Sequence, residues 1–543
     1  MRRILSAGLL VISICLTLVT MSHTMGGRLY SDHLISEADY SELTENRAAV
    51  SEDLLTELYF NDHPLFYDED TGRWFYSISG DASGLDPVVS FVSSEKKAKI
   101  GFPNDLIPGG TGKLIIYTAE EYREYEIVVT TLPLIRIESD NRDFLETVFT
   151  EDTIFSPREV IPIQFTLIDN RTETVRKVTA AEGSIHYHGD STLYYPKKGF
   201  RLTLYQKGTG KELQEYQADL LGMRPDGDWL LYPAYNDQEK IRNVFSSNLW
   251  FDSCGDDNSF GLKNGSEYRF AELFWNRQYW GLYALGYPID VKQMNVYPDN
   301  RGHYEEFLFK QKAWGPKTTG LREGYDGLIL QFDADQAELN NGVMILKMYF
   351  NQIQTGAPGC LWNSDVENAL DVWLYMKLIQ AYDSVRFPRK MKNMMVTVKK
   401  SDTGRKIIYT PWDMDICWGN IWEAGSDNFT VPYALEADDN SLELEVSPVH
   451  VLMGTESDIT DLVREKYAAL RADGWSDETI DNMLDGFEQD IYGSGAYIRD
   501  MERWPDGTYQ DPEAGLSVFR EYVHARFASM DSLIDSLEQT VLF

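Results

Sequence analysis

The chain has 543 residues, of which 43% are hydrophobic and 13% aromatic, so it can bury a large core and form more than one structural unit. Its formal net charge of −36 argues against nucleic-acid binding, because a phosphate backbone repels an acidic surface. The charge is spread along the chain, which is typical of a soluble extracellular protein or of one that meets basic partners.

The N-terminus has the pattern of an export signal. Arg2 and Arg3 precede an apolar run from Ile4 to about Thr20, and polar sequence follows. We predict that residues 1–23 are a signal peptide or a signal anchor, since residues 4–20 are also about long enough to tether the chain in a membrane. The predicted location is therefore extracellular or at the cell surface. The four cysteines predict no disulfide framework, and their scarcity in an exported chain favours a bacterial surface.

Two segments precede the main unit. Residues 24–57 are polar and acidic, and predict a linker with some helical tendency. Residues 58–132 contain short alternating segments such as WFYSISG and KLIIYTA, separated by turns such as PGGTGK, which predicts a small antiparallel β-sandwich of Ig-like type. Such a module is a spacer that holds the rest away from the membrane or, alternatively, a carbohydrate-binding unit.

Residues 133–543 change from strand-rich to helix-rich sequence. Strands are predicted in VIPIQFTLID, EGSIHYHG and KKGFRLTLY, and the NRQ in YRFAELFWNRQYWGLYALGYPI predicts a tight hairpin. Farther on, SDVENALDVWLYMKLIQAY has helical periodicity, and Ser364 and Glu367 have capping-box spacing. The strands MMVTVKK and KIIYTPWD and then mostly helices follow. Strands first and helices later predict an α+β fold.

Two aspartates stand at the end of the last predicted strand, in TPWDMDICWG. In an extended chain Asp413 and Asp415 point to the same side, where two like charges repel unless a cation lies near them. Carboxylate oxygens suit Mg²⁺, so the pair is a candidate metal site. The alternative is that one aspartate caps a turn and the other is solvated.

Asp383 follows the predicted helix, and Asn393 lies ten residues farther on, at the start of a strand. A carboxylate just past a helix end is placed to orient a hydroxyl nucleophile, and an amide offers a metal a neutral oxygen. Alternatively, Asp383 begins a turn with Ser384.

A basic cluster, PKKGFRL, stands out in so acidic a chain. Lys197, Lys198 and Arg201 are candidate contacts for phosphate groups. Strand alternation predicts that Lys198 shares the apolar face with Phe200, where its charge needs an anionic partner. The turn before it, HGDST, offers backbone N–H groups and the Ser191 hydroxyl to phosphate oxygens. The alternative is a solvated strand edge whose lysines guard against aggregation.

The order of these motifs resembles the CotH family, the spore-coat-type atypical protein kinases. The family's Gly-Ser/Asp-Ser-Thr turn and its Pro-Lys-Lys-aromatic-Arg strand correspond here to GDST (189–192) and PKKGFRLTL (196–204). Its D-W-L-L segment and R-N helix start correspond to DWLLYPAYND (228–237) and IRN (241–243).

The later family motifs follow in the same order. The hairpin corresponds to AELFWNRQYWGLYAL (271–285), and the closing Asp, Asn and W-D-x-D-x-x-x-G correspond to Asp383, Asn393 and WDMDICWG (412–419). The resemblance extends from about residue 133 to about residue 535.

The resemblance implies a kinase-like, two-lobed domain that transfers the γ-phosphate of ATP to Ser or Thr hydroxyls of a protein at the cell surface or spore coat. Lys198, Lys197 and Arg201 would contact the nucleotide, Asp413, Asp415 and Asn393 would hold Mg²⁺ or Mn²⁺, and Asp383 would orient or deprotonate the acceptor.

Three features depart from the family pattern. His188 stands where the family usually has arginine, and Tyr287 stands near the hairpin end where a glutamate often pairs with the phosphate lysine. Glu272 is a possible substitute for that glutamate. The Asp383–Asn393 spacing is extended by RFPRK (386–390). An inactive surface protein that serves in coat assembly, adhesion or polysaccharide binding is therefore the alternative to an active kinase.

Overall fold

The computed structural model describes residues 35–80, 82, 87–102, 106–153, 156–171, 177–206, 214–315, 327–423, 430–453 and 457–537, and the backbone of residues 29–30. The predicted signal, residues 1–23, lies outside these ranges. Helices make up 30% of the chain and strands 29%, so the predicted α+β class is confirmed. Among the described residues, no helix is long and apolar enough to cross a membrane.

The described residues up to 130 form one helix and ten short strands. The helix, α1 (Glu37–Glu45), is capped by the Ser36 side chain, which accepts a hydrogen bond from the Asp39 N–H. The strands are β1 (Leu29–Tyr30), β2 (Ala48–Ala49), β3 (Leu55–Phe60), β4 (His63–Pro64), β5 (Phe66–Asp68), β6 (Arg73–Ser77), β7 (Val89–Ser93), β8 (Lys99–Gly101), β9 (Thr111–Tyr117) and β10 (Glu121–Thr130).

These strands form two sheets that share one core. The orders are β1-β7-β3-β4 and β5-β6-β10-β9-β8, and β2 also pairs with β10. Leu58 and Phe91 from the first sheet meet Trp74, Ile116 and Ile127 from the second. The predicted antiparallel arrangement is wrong for the second sheet, since β2 and β6 run parallel to β10. Alternation of side chains predicts a strand but not its direction. Strands β1 and β2 and the start of β3 lie within residues 24–57, so these parts of the predicted linker belong to the unit.

A closed barrel follows. Its order is β11-β12-β13-β14-β15-β17-β16, and the parallel pairing of β11 with β16 closes it. Asn276, in the predicted tight turn between β16 and β17, has a left-handed backbone (φ 55°), which asparagine tolerates. The strands are β11 (Leu134–Glu138), β12 (Ile161–Asp169), β13 (Lys177–His188), β14 (Gly199–Tyr205), β15 (Asp228–Tyr232), β16 (Tyr268–Trp275) and β17 (Gln278–Gly286).

The N-terminal sheets pack directly against the barrel. Phe75 of β6 stacks on Tyr279 of β17 at 5.2 Å between ring centroids and meets Phe274 of β16 edge-on at 5.0 Å. Asp68 of β5 accepts a hydrogen bond from the Tyr279 N–H at 3.0 Å. Arg73 forms an ion pair with Glu502 at 2.8 Å. The N-terminal unit is thus attached to the barrel by an apolar contact and polar bonds.

The C-terminal half contains a further four-stranded sheet and a layer of helices. The sheet order is β19-β18-β20-β21, and its strands are β18 (Phe307–Gln311), β19 (Leu328–Leu330), β20 (Met394–Ser401) and β21 (Gly404–Pro411); β22 (Ile421–Trp422) and β23 (Thr430–Val431) form a separate pair. The helices are α2 (Arg242–Ser253), α3 (Gln336–Gln354), α4 (Gly359–Trp362), α5 (Val366–Leu378), α6 (Tyr382–Val385), α7 (Pro448–Leu452), α8 (Ser457–Ala472), α9 (Asp477–Glu488), α10 (Ala496–Arg503) and α11 (Ser517–Ser536).

Helix α5 corrects two details of the prediction. Asp365, not Ser364, caps its start, because the Asp365 side chain accepts a hydrogen bond from the Asn368 N–H. The helix ends at Leu378, since Gln380 has a left-handed backbone (φ 49°) that no continuing helix allows. Asp383 therefore lies in the separate one-turn helix α6 and does not follow the end of α5 directly.

The contact between the N-terminal unit and the barrel predicts an energetic coupling between Phe75 and Phe274. Each single change to alanine removes a buried ring and should cost about 3–5 kcal/mol. The double variant should lose less than the sum, with a coupling of about 1 kcal/mol, because both changes remove one shared ring contact. Urea denaturation of the four proteins measures the coupling. Additive losses would contradict the contact, and Val88→Ala, at an exposed position, is the control.

Candidate functional site

The two late aspartates lie on a bend directly after strand β21. The strand ends at Pro411, and the Trp412 N–H donates to the Asn393 carbonyl at 3.1 Å. Asp413 then takes a left-handed backbone (φ 61°), and the Met414 N–H donates to Asn243 Oδ1 at 2.9 Å. The predicted extended alternation is therefore wrong here. The bend, held by the asparagine of the IRN segment, sets the directions of both carboxylates.

Burial and neighbouring charge oppose the ionisation of both carboxylates. The pKa of Asp415 is raised well above its usual value by burial first, and then by the charges of Asp413 and Asp383. Burial also raises the pKa of Asp413, although its side chain remains accessible to solvent. We call the region around Asp383, Asp413 and Asp415 the recess. The three aspartates thus concentrate negative charge in a confined space.

Asp383, on helix α6, lies at the same recess. Its Oδ2 lies 2.6 Å from Lys392 Nζ and accepts a second hydrogen bond from Asn393 Nδ2 at 3.2 Å. Asn393, with a left-handed backbone (φ 55°), also points Nδ2 at the Asp413 carbonyl, 3.4 Å away. The Asn393 side chain therefore connects Asp383 with the bend that carries Asp413. Left-handed conformations of non-glycine residues cost about 1–3 kcal/mol each and cluster at functional sites.

Lys310, on strand β18, is the site residue that the sequence analysis missed. The Lys310 ammonium lies 5.0 Å from the centre of the Trp412 ring. Of the charged groups near Lys310, Asp413 has the largest effect on the lysine pKa. Burial lowers the pKa of Lys310, and the Asp413 and Asp190 carboxylates oppose this shift. The only signal in the sequence was the alternating K-x-K of FLFKQK, which also fits a strand edge.

The HGDST turn approaches the recess from the barrel side. Asp190 lies 3.0 Å from Lys312 Nζ, which joins the turn to the strand that carries Lys310. The His188 ring packs edge-on against the Trp412 ring at 6.5 Å, and burial lowers the pKa of His188 to about 3, so this histidine is neutral. Gly189 (φ 114°) is required here, because a Cβ would lie 2.3 Å from Thr192 Oγ1. The predicted contact residue Ser191 is exposed in this turn.

The two lysines of the PKK segment have different environments. Lys197 is fully buried, and its Nζ lies 2.7 Å from Asp500 Oδ1 and 2.6 Å from the Leu282 carbonyl. Lys198 is half-buried and donates to the Tyr195 carbonyl, and burial lowers its pKa to about 8. The alternation that puts Lys198 on the apolar side is wrong, because β14 begins only at Gly199, after both lysines.

The remaining basic residue of this cluster, Arg201, pairs with Asp228 at 2.8 Å on the neighbouring strand. Its charge adds to that of Lys310 in lowering the pKa of His188, so Arg201 also lies near the HGDST turn. On the other side, burial raises the pKa of Tyr195, and the charge of the nearby Asp415 carboxylate raises it further. The structure thus brings the turn and Arg201 towards the aspartates, while Lys197 faces Asp500.

The sequence analysis considered Glu272 as the acidic partner of the phosphate lysine. In the structure, Asp500 is the carboxylate that pairs with Lys197. Glu272 is buried and pairs instead with Arg499, at 2.8 Å. The neighbouring Asp500, on the same helix α10, accepts hydrogen bonds from Lys197 and from the Leu282 N–H. Gly281 (φ 114°) permits this approach, since a Cβ there would lie 2.4 Å from Asp500 Oδ1. The anionic partner of the PKK segment therefore comes from near the end of the chain, which no local sequence pattern could reveal.

A metal ion fits the recess only with help from other oxygen donors. Within the described ranges, no three His, Cys, Asp or Glu side chains are gathered closely enough to hold an ion by themselves. Asp413 and Asp415 supply carboxylate oxygens. Asn393 turns its side-chain nitrogen towards Asp383 and the Asp413 carbonyl, so its amide oxygen is the atom left for another partner. This donor set leaves room for water and phosphate oxygens, which Mg²⁺ usually retains in its shell.

The sequence model of the CotH family, described as CotH kinase protein, matches residues 185–530. This range is most of the chain and contains the turn, the PKK segment, the hairpin and all three aspartates. The chain therefore belongs to the CotH family, as its motifs predicted. No curated protein matches the chain.

The crowding of carboxylates predicts that Asp415→Asn stabilises the metal-free protein. Because the folded-state pKa of Asp415 is raised, its ionisation costs stability as pH rises from about 4 through that pKa. At pH 8 the variant should gain about 1–2 kcal/mol over wild type, and less at pH 5. Magnesium should then raise the melting temperature of wild type more than that of the variant. Thermal denaturation at both pH values, with and without magnesium, tests this. A loss of stability at pH 8 would contradict it.

The buried Lys197–Asp500 ion pair predicts how the stability of the fold changes when one or both partners are replaced. Asp500→Asn alone should cost about 3–5 kcal/mol, because it leaves a buried ammonium without an anion. The double change Lys197→Met and Asp500→Leu should recover most of that loss, since apolar groups need no partner. Urea denaturation measures both. A double variant as unstable as the single one would show that the pair does more than satisfy its own charges.

Proposed function

We propose that this protein is an exported protein kinase that transfers the γ-phosphate of ATP to Ser or Thr hydroxyls of a protein substrate. One observation carries the proposal: Asp383, Asp413 and Asp415 lie together in one recess with Lys310 and Lys392. Phosphoryl transfer requires little covalent chemistry from the protein. It requires phosphates clamped by metal and lysine, and a positioned hydroxyl.

Asp413, Asp415 and Asn393 would hold Mg²⁺ or Mn²⁺, which supplies positive charge to the phosphate oxygens of ATP. Asp383 would accept the proton of the acceptor hydroxyl as the new O–P bond forms and ADP leaves. The Asn393 amide and the Lys392 ammonium hold the Asp383 carboxylate at one oxygen, which leaves the other oxygen for the acceptor. The aspartates therefore divide into a metal-binding pair and a single proton acceptor.

Lys310 is the lysine that we assign to the ATP phosphates. It is the cation on β18 that faces Asp413, and its neighbours include the HGDST turn with Ser191. Lys198 and Arg201 remain candidates at the edge of the recess. Lys197 is engaged by Asp500, so its contribution to nucleotide binding would require that this ion pair open.

The finer architecture and the location belong to the same proposal. The barrel and the helical part would be the two lobes of a kinase-like domain, and the N-terminal sheets would form an Ig-like sandwich. Residues 1–23 would direct export, and the substrate would be a protein at the cell surface or spore coat.

The alternative is an inactive CotH-fold surface protein that serves in coat assembly, adhesion or polysaccharide binding. The burial of Lys197 against Asp500 favours it, because this lysine of the family motif is not open to a nucleotide in this structure. Binding of ATP separates the two functions. A ligand that binds only the folded state must raise the melting temperature.

The direct test incubates the full chain with γ-labelled ATP, with magnesium or manganese, and measures labelled protein. Asp383→Asn, Asp415→Asn and Lys310→Met should each lower the transfer by about 100-fold or more, because each removes a group that acts in the transition state. Asp402→Asn, in the exposed turn between β20 and β21, is the matched control and should retain wild-type transfer. Equal labelling in all variants, or none in wild type together with no ATP-induced stabilisation, would favour the alternative.

A further inference from the structure

The segment RFPRK, which extends the spacing between Asp383 and Asn393, forms a loop at the proposed acceptor site. The loop begins where helix α6 ends, and the Lys392 N–H closes it by donating to the Ser384 carbonyl at 3.1 Å. Phe387 is 40% exposed. Pro388 and Arg389 are exposed as well. The extra residues are thus attached at both ends beside Asp383 and project towards solvent.

Arg386 lies among aromatic rings instead of against an acid. Its guanidinium carbon lies 4.5 Å from the ring centre of Phe387, 5.1 Å from Tyr382 and 5.3 Å from Trp422. Trp314 completes this set at 5.7 Å. The Arg386 Nε is buried and has no hydrogen-bond partner in the part of the chain that the structure describes. Rings hold the guanidinium plane in place without neutralising its charge.

Arg389 and Lys390 extend this cationic surface. Lys390 Nζ lies 5.8 Å from the Phe387 ring centre. Glu445 accepts a hydrogen bond from the Arg389 backbone N–H at 3.1 Å, and no ion pair joins it to the guanidinium in the part of the chain that the structure describes. Among the described residues, none of Arg386, Arg389 and Lys390 has a carboxylate partner.

The chain has 86 acidic and 50 basic residues, and several of its enclosed cations pair with acids, for example Lys197 with Asp500 and Arg499 with Glu272. Where the structure describes the surroundings, these three neighbouring cations have no carboxylate partner, so their charge is available to an anionic group from outside. The net charge of −36 opposes the approach of an anion at long range, but salt at 0.15 M screens exposed charges beyond about 8 Å, so the local charge of this surface decides whether contact forms.

We propose that the surface formed by Arg386, Phe387, Arg389 and Lys390 docks an acidic segment of the acceptor protein and so places a Ser or Thr hydroxyl at Asp383. This inference rests on the proposed kinase function and names its substrate class. Asp or Glu side chains flanking the hydroxyl would pair with the three cations, and the fixed guanidinium of Arg386 offers a carboxylate a planar set of donors. The aromatic rings around it supply contact area at low entropic cost.

The test compares three fluorescent peptides with a single serine, flanked on both sides by glutamates, by glutamines or by lysines. Fluorescence anisotropy without ATP measures binding to the full chain. The glutamate peptide should bind about tenfold or more tightly than the glutamine peptide, and added salt should weaken this difference. Labelled ATP then measures kcat/KM of phosphate transfer to each peptide.

The variant Arg386→Gln/Arg389→Gln/Lys390→Gln should lose the preference for glutamate, mainly through KM, while its KM for ATP stays unchanged. The variant Lys96→Gln/Lys97→Gln/Lys99→Gln changes the net charge equally at exposed positions of the N-terminal unit and should keep the preference. Arg386→Lys, which keeps the charge but loses the planar donors, should weaken glutamate-peptide binding only in part and gives a second measurement if the triple variant unfolds.

The two proposals fail in distinguishable ways. Equal binding of the three peptides, or glutamate-peptide binding that is unchanged in the loop variant, would overturn the docking surface whatever the transfer assay shows. Selective binding of the glutamate peptide without phosphate transfer to any peptide would support the docking surface and contradict the kinase proposal.

Discussion

The site depends on one constraint: three carboxylates are held closer together than their charges favour. Burial raises the pKa of Asp413 and of Asp415, and the charge of Asp383 raises both further. Two lysines, Lys310 and Lys392, compensate part of this charge from two directions. Under the proposed function, a metal ion and its phosphate ligands would complete the balance.

Strained backbone and buried ion pairs keep this arrangement in place. Asn393 and Asp413 both have left-handed conformations. The Asn393 N–H donates to the Gln311 carbonyl of β18, and the Asn393 side chain donates to the Asp413 carbonyl at 3.4 Å. Below them, Arg242 pairs with Asp237 and Glu239 in the core, and the adjacent Asn243 holds the bend at Met414. Deleting one member of such a buried group leaves a charge without a partner, so these residues are required together. The family motif IRN is thus a support for the site and not part of its chemistry.

Helix α10 connects parts of the chain that are far apart in sequence. Its Arg499 reaches Glu272 on the hairpin, and its Asp500 reaches Lys197 in the PKK segment. Arg73, in the N-terminal unit, pairs with Glu502 on the same helix. The helix therefore joins the N-terminal sheets, the barrel and the PKK segment. A displacement of α10 would change the surroundings of Lys197, because the Asp500 carboxylate is what compensates its charge.

The sequence by itself determined the α+β class and the family, because periodicity and short motifs depend on residues that are close along the chain. It also predicted the three aspartates as site residues. It also singled out Asn393 and the extra residues RFPRK. Only the tertiary structure decided that Lys310 faces Asp413, that Lys197 is enclosed by Asp500, and that β6 runs parallel to β10. These relations join residues that are distant in sequence, and side-chain alternation carries no information about which distant strand or helix will be the neighbour.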